Sequence, residues 1–340
     1  MKTIILLALL LFSTTYADEY SEEYFDESGY ALGDGFQIGD LPIYIGGYFS
    51  MDYKYTQDMQ KYRLDDIAFL SYGNYGKFSY MAEVEYKEFY SYIIIPEKTF
   101  TQENKDLHTE RLYAEYKHDE NYMGRVGKYN SPIGFWNLVP VNVLRDTSSN
   151  PKSLDFIFPR FTTGVQGSYT SYSDLSSVQI DVMVQHNDDI DYKYNNYHVD
   201  RHYGAGITYS EGDLDLKLNF GAFRNINLDA TTELRYYALA SLLYEKNDFK
   251  ITSEFGSQKS NTAFTTEYAG YIQGLYYITP KNAAIIRLES YKNNTINIQD
   301  NISIFAYTYR PLYPVALKFE YQLDTKGIEE QFLFSFSVLF

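Results

Sequence analysis

Beyond about residue 40 the chain alternates apolar and polar side chains with a period of two. In residues 213–220, Leu214, Leu216, Leu218 and Phe220 alternate with Asp215, Lys217 and Asn219. Val178, Ile180, Val182 and Val184 alternate with Gln179, Asp181 and Gln185, and Val315, Leu317, Phe319 and Tyr321 with Lys318 and Glu320. Successive side chains of a strand point to opposite faces, so each segment has one apolar and one polar face. Sixteen such segments are predicted: 41–56, 61–72, 75–90, 107–117, 121–130, 160–172, 176–187, 201–210, 213–224, 232–244, 248–258, 264–278, 282–292, 299–309, 312–323 and 330–340. The implied fold class is all-β, a transmembrane antiparallel β-barrel of about 16 strands, apolar outside and polar within. A soluble barrel with an apolar interior would invert the pattern.

Connections in spanning barrels alternate between short turns at one end and longer loops at the other. Short turns are predicted around Gly73-Asn74, His118-Asp119-Glu120, Ser173-Asp174, Glu211-Gly212, Lys246-Asn247, Pro280-Lys281 and Pro311. The long connections 91–106, 131–159 and 188–200 all fall at the opposite end, the external one if the N-terminus is periplasmic.

The final segment places Phe332, Phe334, Phe336, Val338 and Phe340 on one face and Gln331, Ser335 and Ser337 on the other, with Leu333 and Leu339. It resembles the closing strand of Gram-negative outer-membrane barrels. That resemblance implies that Phe336, Val338 and Phe340 form the signal read by the barrel-assembly machinery, with outer-membrane lipid and lipopolysaccharide around the barrel.

Composition narrows the classes further. Residues 1–17, from Met1-Lys2 through the apolar run Ile4 to Phe12 to Ala17, read as a secretory signal peptide. Residues 18–40 read as a flexible acidic periplasmic leader, carrying Asp18, Glu19, Glu22, Glu23, Asp26, Glu27 and Asp34 and no basic residue. The barrel is assigned to 41–340. The 38 tyrosines suit strands and aromatic girdles at a membrane interface, while zero cysteines exclude disulfides. A net charge of −16 argues against nucleic acid as a partner. Enzyme signals are thin: His108, His118, His186, His198 and His202 lack zinc-site spacing, and no GxSxG element occurs. Asp188, Asp189 and Asp191 read as a solvated loop. No cofactor or metal is expected.

The connection 131–159, the third external loop, is stiffened by Pro132, Pro140, Pro151 and Pro159 and carries Arg145, Asp146, Lys152 and Asp155, with Arg160 at its end. A loop of this length in a compact barrel is usually functional. Around it, Gly127-Lys128-Tyr129-Asn130-Ser131-Pro132-Ile133-Gly134, Arg145-Asp146 and Pro159-Arg160-Phe161-Thr162-Thr163-Gly164-Val165-Gln166-Gly167 are similar to the progression found in the phosphate-selective porin O/P-like family. The resemblance implies a sixteen-stranded, usually homotrimeric channel whose third external loop folds into the lumen, making Arg145, Asp146, Lys152, Asp155 and Arg160 the pore constriction. The arginine ladder of the anion-selective members is missing, so phosphate selectivity does not carry over.

Alternation places Lys87, Arg111, Lys117, Arg125, Lys217, Arg235, Lys250, Arg287 and Lys318 inward, together with Glu83, Glu85, Glu115, Asp181, Asp215, Glu233, Glu254, Glu289 and Glu320. These charges form opposed walls or neutralise each other as cross-strand pairs. The expected function is passive diffusion of small hydrophilic solutes and ions. The alternatives are a surface adhesin or receptor anchored by the barrel, and a substrate-specific channel.

Overall fold

The computed structural model describes residues 30–261, 263–325 and 330–340. The signal peptide and most of the acidic leader lie outside the described residues.

Sixteen long strands follow one another: β1 (Ile43–Thr56), β2 (Met59–Tyr75), β3 (Phe78–Ile95), β4 (Leu107–Lys117), β5 (Tyr122–Asn130), β6 (Phe161–Tyr172), β7 (Ser176–Gln185) and β8 (Val199–Glu211). The second half comprises β9 (Leu214–Ile226), β10 (Thr232–Lys246), β11 (Phe249–Ser260), β12 (Phe264–Thr279), β13 (Asn282–Asn293), β14 (Ile298–Tyr309), β15 (Val315–Asp324) and β16 (Gln331–Leu339). Each pairs antiparallel with the next, and β16 pairs with β1, Phe336 opposite Met51. The sheet is therefore a closed barrel, which removes the exposed edges an open sheet would carry. At the seam, Gly47 N–H donates to the Phe340 carbonyl (2.7 Å) and Phe340 N–H to that of Gly47 (2.8 Å). No helix among the described residues is long and apolar enough to cross a membrane.

The faces follow the alternation. Leu216, Leu218 and Phe220 are exposed on the outer surface, while Lys217 and Asn219 between them are buried inside. Leu218→Lys is expected to cost about 2–4 kcal/mol if the position lies near the bilayer midplane. Urea titration of the folded barrel in lipid vesicles measures this, and an unchanged midpoint would invert the face assignment of β9.

Several connections depart from the sequence expectation. The first short turn is at Gly76-Lys77 rather than Gly73-Asn74. Gly76 has φ +59°, whereas Gly73 lies inside β2, where a Cβ would meet the Pro42 carbonyl at 2.2 Å. The connection 91–106 is mostly a hairpin: β3 runs on through Tyr92, Ile93, Ile94 and Ile95 and pairs with Lys98–Glu103. That β-branched and aromatic run favours strand up to the turn at Pro96-Glu97. The end of the leader forms two short strands, Tyr30–Ala31 and Gly35–Gln37, the second pairing with β1.

Candidate functional site

The segment after β5 contains two 3-10 turns, Trp136–Leu138 and Asn142–Leu144, and one short helix, α1 (Lys152–Phe156). Its apolar residues Ile133, Trp136, Leu154, Ile157 and Phe158 are buried in one cluster with Met183, Phe223, Tyr237, Leu239, Ala269 and Tyr271 of β7 and β9–β12. Polar contacts fix the rest. Gly134 N–H and the Pro132 carbonyl bond the Asn219 side chain (3.0 and 3.1 Å), and Lys217 donates to the Gly134 carbonyl (3.3 Å). Glu254 Oε1 accepts Phe135 N–H (2.6 Å) and Trp136 N–H (3.0 Å). Gly134 makes this possible. Its φ of +67° and the Glu254 carboxylate, 2.5 Å from where a Cβ would sit, leave room only for glycine.

Farther along the loop, Asp146 pairs with Lys250 (3.1 Å), and Arg310 donates to the carbonyls of Val143 and Arg145. Arg287, fully buried, bonds Thr147 (2.6 Å), Ser149 (2.7 Å) and Glu289 (2.7 Å). Lys318 reaches Asn142 Oδ1 (3.0 Å), Glu320 accepts Ser149 N–H (3.1 Å), and Glu289 accepts Lys152 N–H (2.9 Å). Thus Lys217, Arg287, Glu289, Lys318 and Glu320 do face inward, and each also anchors this segment.

Three pairs of the remaining expected lumen charges lie along the wall. Arg111 bonds Glu83, Arg125 bonds Glu115 (2.6 Å) and Arg235 bonds Glu233 (2.7 Å). Lys117 departs from the set, its side chain being 69% exposed.

A cavity of about 510 Å³ lies between the segment and a wall made by β1–β4 and β13–β16. Arg145, Lys152, Asp155 and Arg160 line it from the loop, while Asp66, Glu85, Lys87 and Glu110 line it from the wall. Among the described residues, neither Arg145 nor Arg160 has a carboxylate within 4.0 Å. Arg145 Nε donates to the Val139 carbonyl (2.8 Å), and Arg160 lies 5.7 Å from the centre of the Phe161 ring. Burial holds the Asp155 carboxyl above its usual range, against the opposing pull of Lys152 and Arg160. Asp146, also expected at the constriction, sits instead between Lys250 and Gln273 Nε2 (3.0 Å) on the far wall.

A second segment, 187–198 after β7, contains a 3-10 turn at Tyr192–Tyr194. Asp189 is not solvated: it pairs with Lys128 at 3.0 Å, both side chains being fully buried, and accepts from Thr163 (2.7 Å) and Asn195 (3.0 Å). Asp191 meets His108 Nδ1 (3.0 Å). Asn196 Nδ2 lies within bonding distance of the carbonyls of Leu154, Asp155 and Phe158, tying this segment to the end of the first. The solvated-loop reading of Asp189 and Asp191 is therefore corrected, because Lys128 pairs with the first carboxylate and the His108 ring bonds the second.

Strict alternation missed Asp66 and Glu110 for one reason. The β2–β3 register shifts between Leu64 and Asp66, and the β3–β4 register shifts where Arg111 and Thr109 face Glu83 and Val84. Each bulge turns neighbouring residues to the same face. The adjacent acids Asp65-Asp66 are the readable trace of the first.

No family model matches the chain, and no curated protein sequence does. Solved structures match across nearly the whole length. The outer membrane channel DcaP of Acinetobacter baumannii has a TM-score of 0.58 at 12% identity, covering 90% of this chain and 100% of its own. The anion-selective porin from Comamonas acidovorans has a TM-score of 0.59 at 9% identity, covering 88% and 99%. OmpF of Salmonella typhi has a TM-score of 0.58 at 11% identity, covering 88% and 97%. The fold is that of the outer-membrane porins. At these identities the likeness is one of fold, and the resemblance to the phosphate-selective porin O/P-like family rests on the motifs around the connection 131–159 together with the strand count and the final strand.

Proposed function

We propose that the chain is an outer-membrane porin through which small hydrophilic solutes and ions diffuse passively. The supporting observation is the polar cavity between the segment 131–160 and the strand wall, lined by charges of both signs. In this reading the segment narrows the lumen. Arg145, Lys152, Asp155 and Arg160 face Asp66, Glu85 and Glu110 across the narrow part, and a permeant ion is selected by the balance of the two rows. The barrel sits in the outer membrane of a Gram-negative bacterium, among lipid and lipopolysaccharide. On this reading Phe336, Val338 and Phe340 present the apolar face read at assembly, and a homotrimer is the working oligomer.

A substrate-specific channel is the second reading. It is favoured by the second segment, which on this reading leaves less of the lumen open than one loop would. Ion current through the folded protein in a planar bilayer tests the pore, and current blocked by one solute class would favour the specific channel.

A further inference from the structure

Glu83, Glu85 and Glu110 each present a carboxylate oxygen within 4.8 Å of the others, and all three side chains are buried. Tyr48 and Tyr194 stand over them. Tyr48 lies 2.6 Å from Glu85 Oε2 and 3.1 Å from Glu110 Oε2, and Tyr194 lies 2.7 Å from Glu85 Oε1 and 3.0 Å from the same Glu110 oxygen. A phenol carries one proton, so two phenols cannot serve four contacts. If they donate to Glu85, the shorter partner, Glu110 receives none.

Glu83 supplies the independent observation. Arg111 occupies its Oε2, while its Oε1 is buried with no hydrogen-bond partner. A buried carboxylate oxygen without a donor is costly unless a cation or proton meets it. When all three carboxylates are ionised, the one guanidinium beside them leaves a local charge of about −2, which a divalent cation offsets. Calcium binds oxygens at roughly 2.4 Å, so opposite ligands of its shell are about 4.8 Å apart, and this cluster fits within that span. Glu85 and Glu110 also line the cavity, which gives the ion a route in and room for water ligands.

We infer that Glu83, Glu85 and Glu110 form a calcium-class divalent cation site in the wall of the lumen. On the porin reading, occupation neutralises the acidic row and leaves Arg145, Arg160 and Lys87 to dominate the narrow part. Calcium then shifts the channel towards anions.

The test uses the full chain folded in detergent, with terbium(III) as a luminescent stand-in sensitised by Tyr48 and Tyr194. One saturable site per barrel, displaced by calcium, is expected, and Glu110→Gln should weaken it at least tenfold while exposed Asp229→Asn leaves it unchanged. Glu85→Gln, which keeps the shape of the side chain, is the second variant and should act alike. Absence of saturable calcium-displaced emission, or emission indifferent to both variants, overturns the site. Reversal potentials with and without 5 mM calcium, a concentration of order 10⁻³–10⁻² M chosen to reach weak sites, separate the two claims. A conducting channel that shows neither terbium binding nor a shift rejects the site and keeps the pore, whereas terbium binding without conductance keeps the site and rejects the pore.

Discussion

Lys128→Met is expected to release the segment Asn187–His198 at a cost of about 3–5 kcal/mol, because it leaves Asp189 charged, buried and without its cation. Lys128 meets Asp189 at 3.0 Å with neither side chain exposed, and also donates to the Asp191 carbonyl at 2.7 Å. The loss falls on the loop rather than on the barrel, whose ladder of strand pairs closes without it. Limited proteolysis near Lys193 should become fast in the variant, while the barrel stays folded in a gel-shift assay. Replacing both partners, Lys128→Met with Asp189→Leu, removes the unpaired charge and should recover most of the loss. A single variant as protease-resistant as the parent would mean the pair does not hold the loop.

The double substitution Arg145→Glu and Arg160→Glu is expected to move ion preference strongly towards cations. Both arginines line the cavity and neither is neutralised by a carboxylate within 4.0 Å, so their charge is available to a passing ion. One charge at about 6 Å in an effective dielectric of about 40 changes the energy of a monovalent ion by about 1.4 kcal/mol, roughly tenfold in permeability. The reversal potential in a salt gradient reads the change. Substituting Gln at both positions halves the charge difference and should move it about half as far. If the Glu pair leaves the reversal potential where it was, the ions do not pass these residues.

Period-two alternation carried most of the fold, because only lipid outside and water inside demand that pattern over sixteen successive strands. Its failures are local and physical. At Asp65-Asp66 and Glu110 a bulge breaks the period, and these acids line the cavity together with Glu85. The motif from Gly127 to Gly134 marked the start of the segment 131–160, and its glycine at 134 proved to be a docking point against Glu254. What alternation could not give was the use of inward charges as anchors. Arg287 and Lys318 read alike whether they face water or a loop carbonyl. The inward apolar residues Tyr237, Leu239 and Tyr271 were the available signal, since an open aqueous wall has no use for them, and they are where Trp136, Ile157 and Phe158 pack. The second segment left a fainter trace, Asp189 and Asp191, whose partners Lys128 and His108 lie far away in the chain.

Single-channel current of the folded full chain in a planar bilayer tests the central claim most directly. Discrete, stable conductance steps with a reversal potential that responds to Arg145 and Arg160 are the predicted result. A barrel that inserts and is folded, yet passes no ions, would contradict the porin reading.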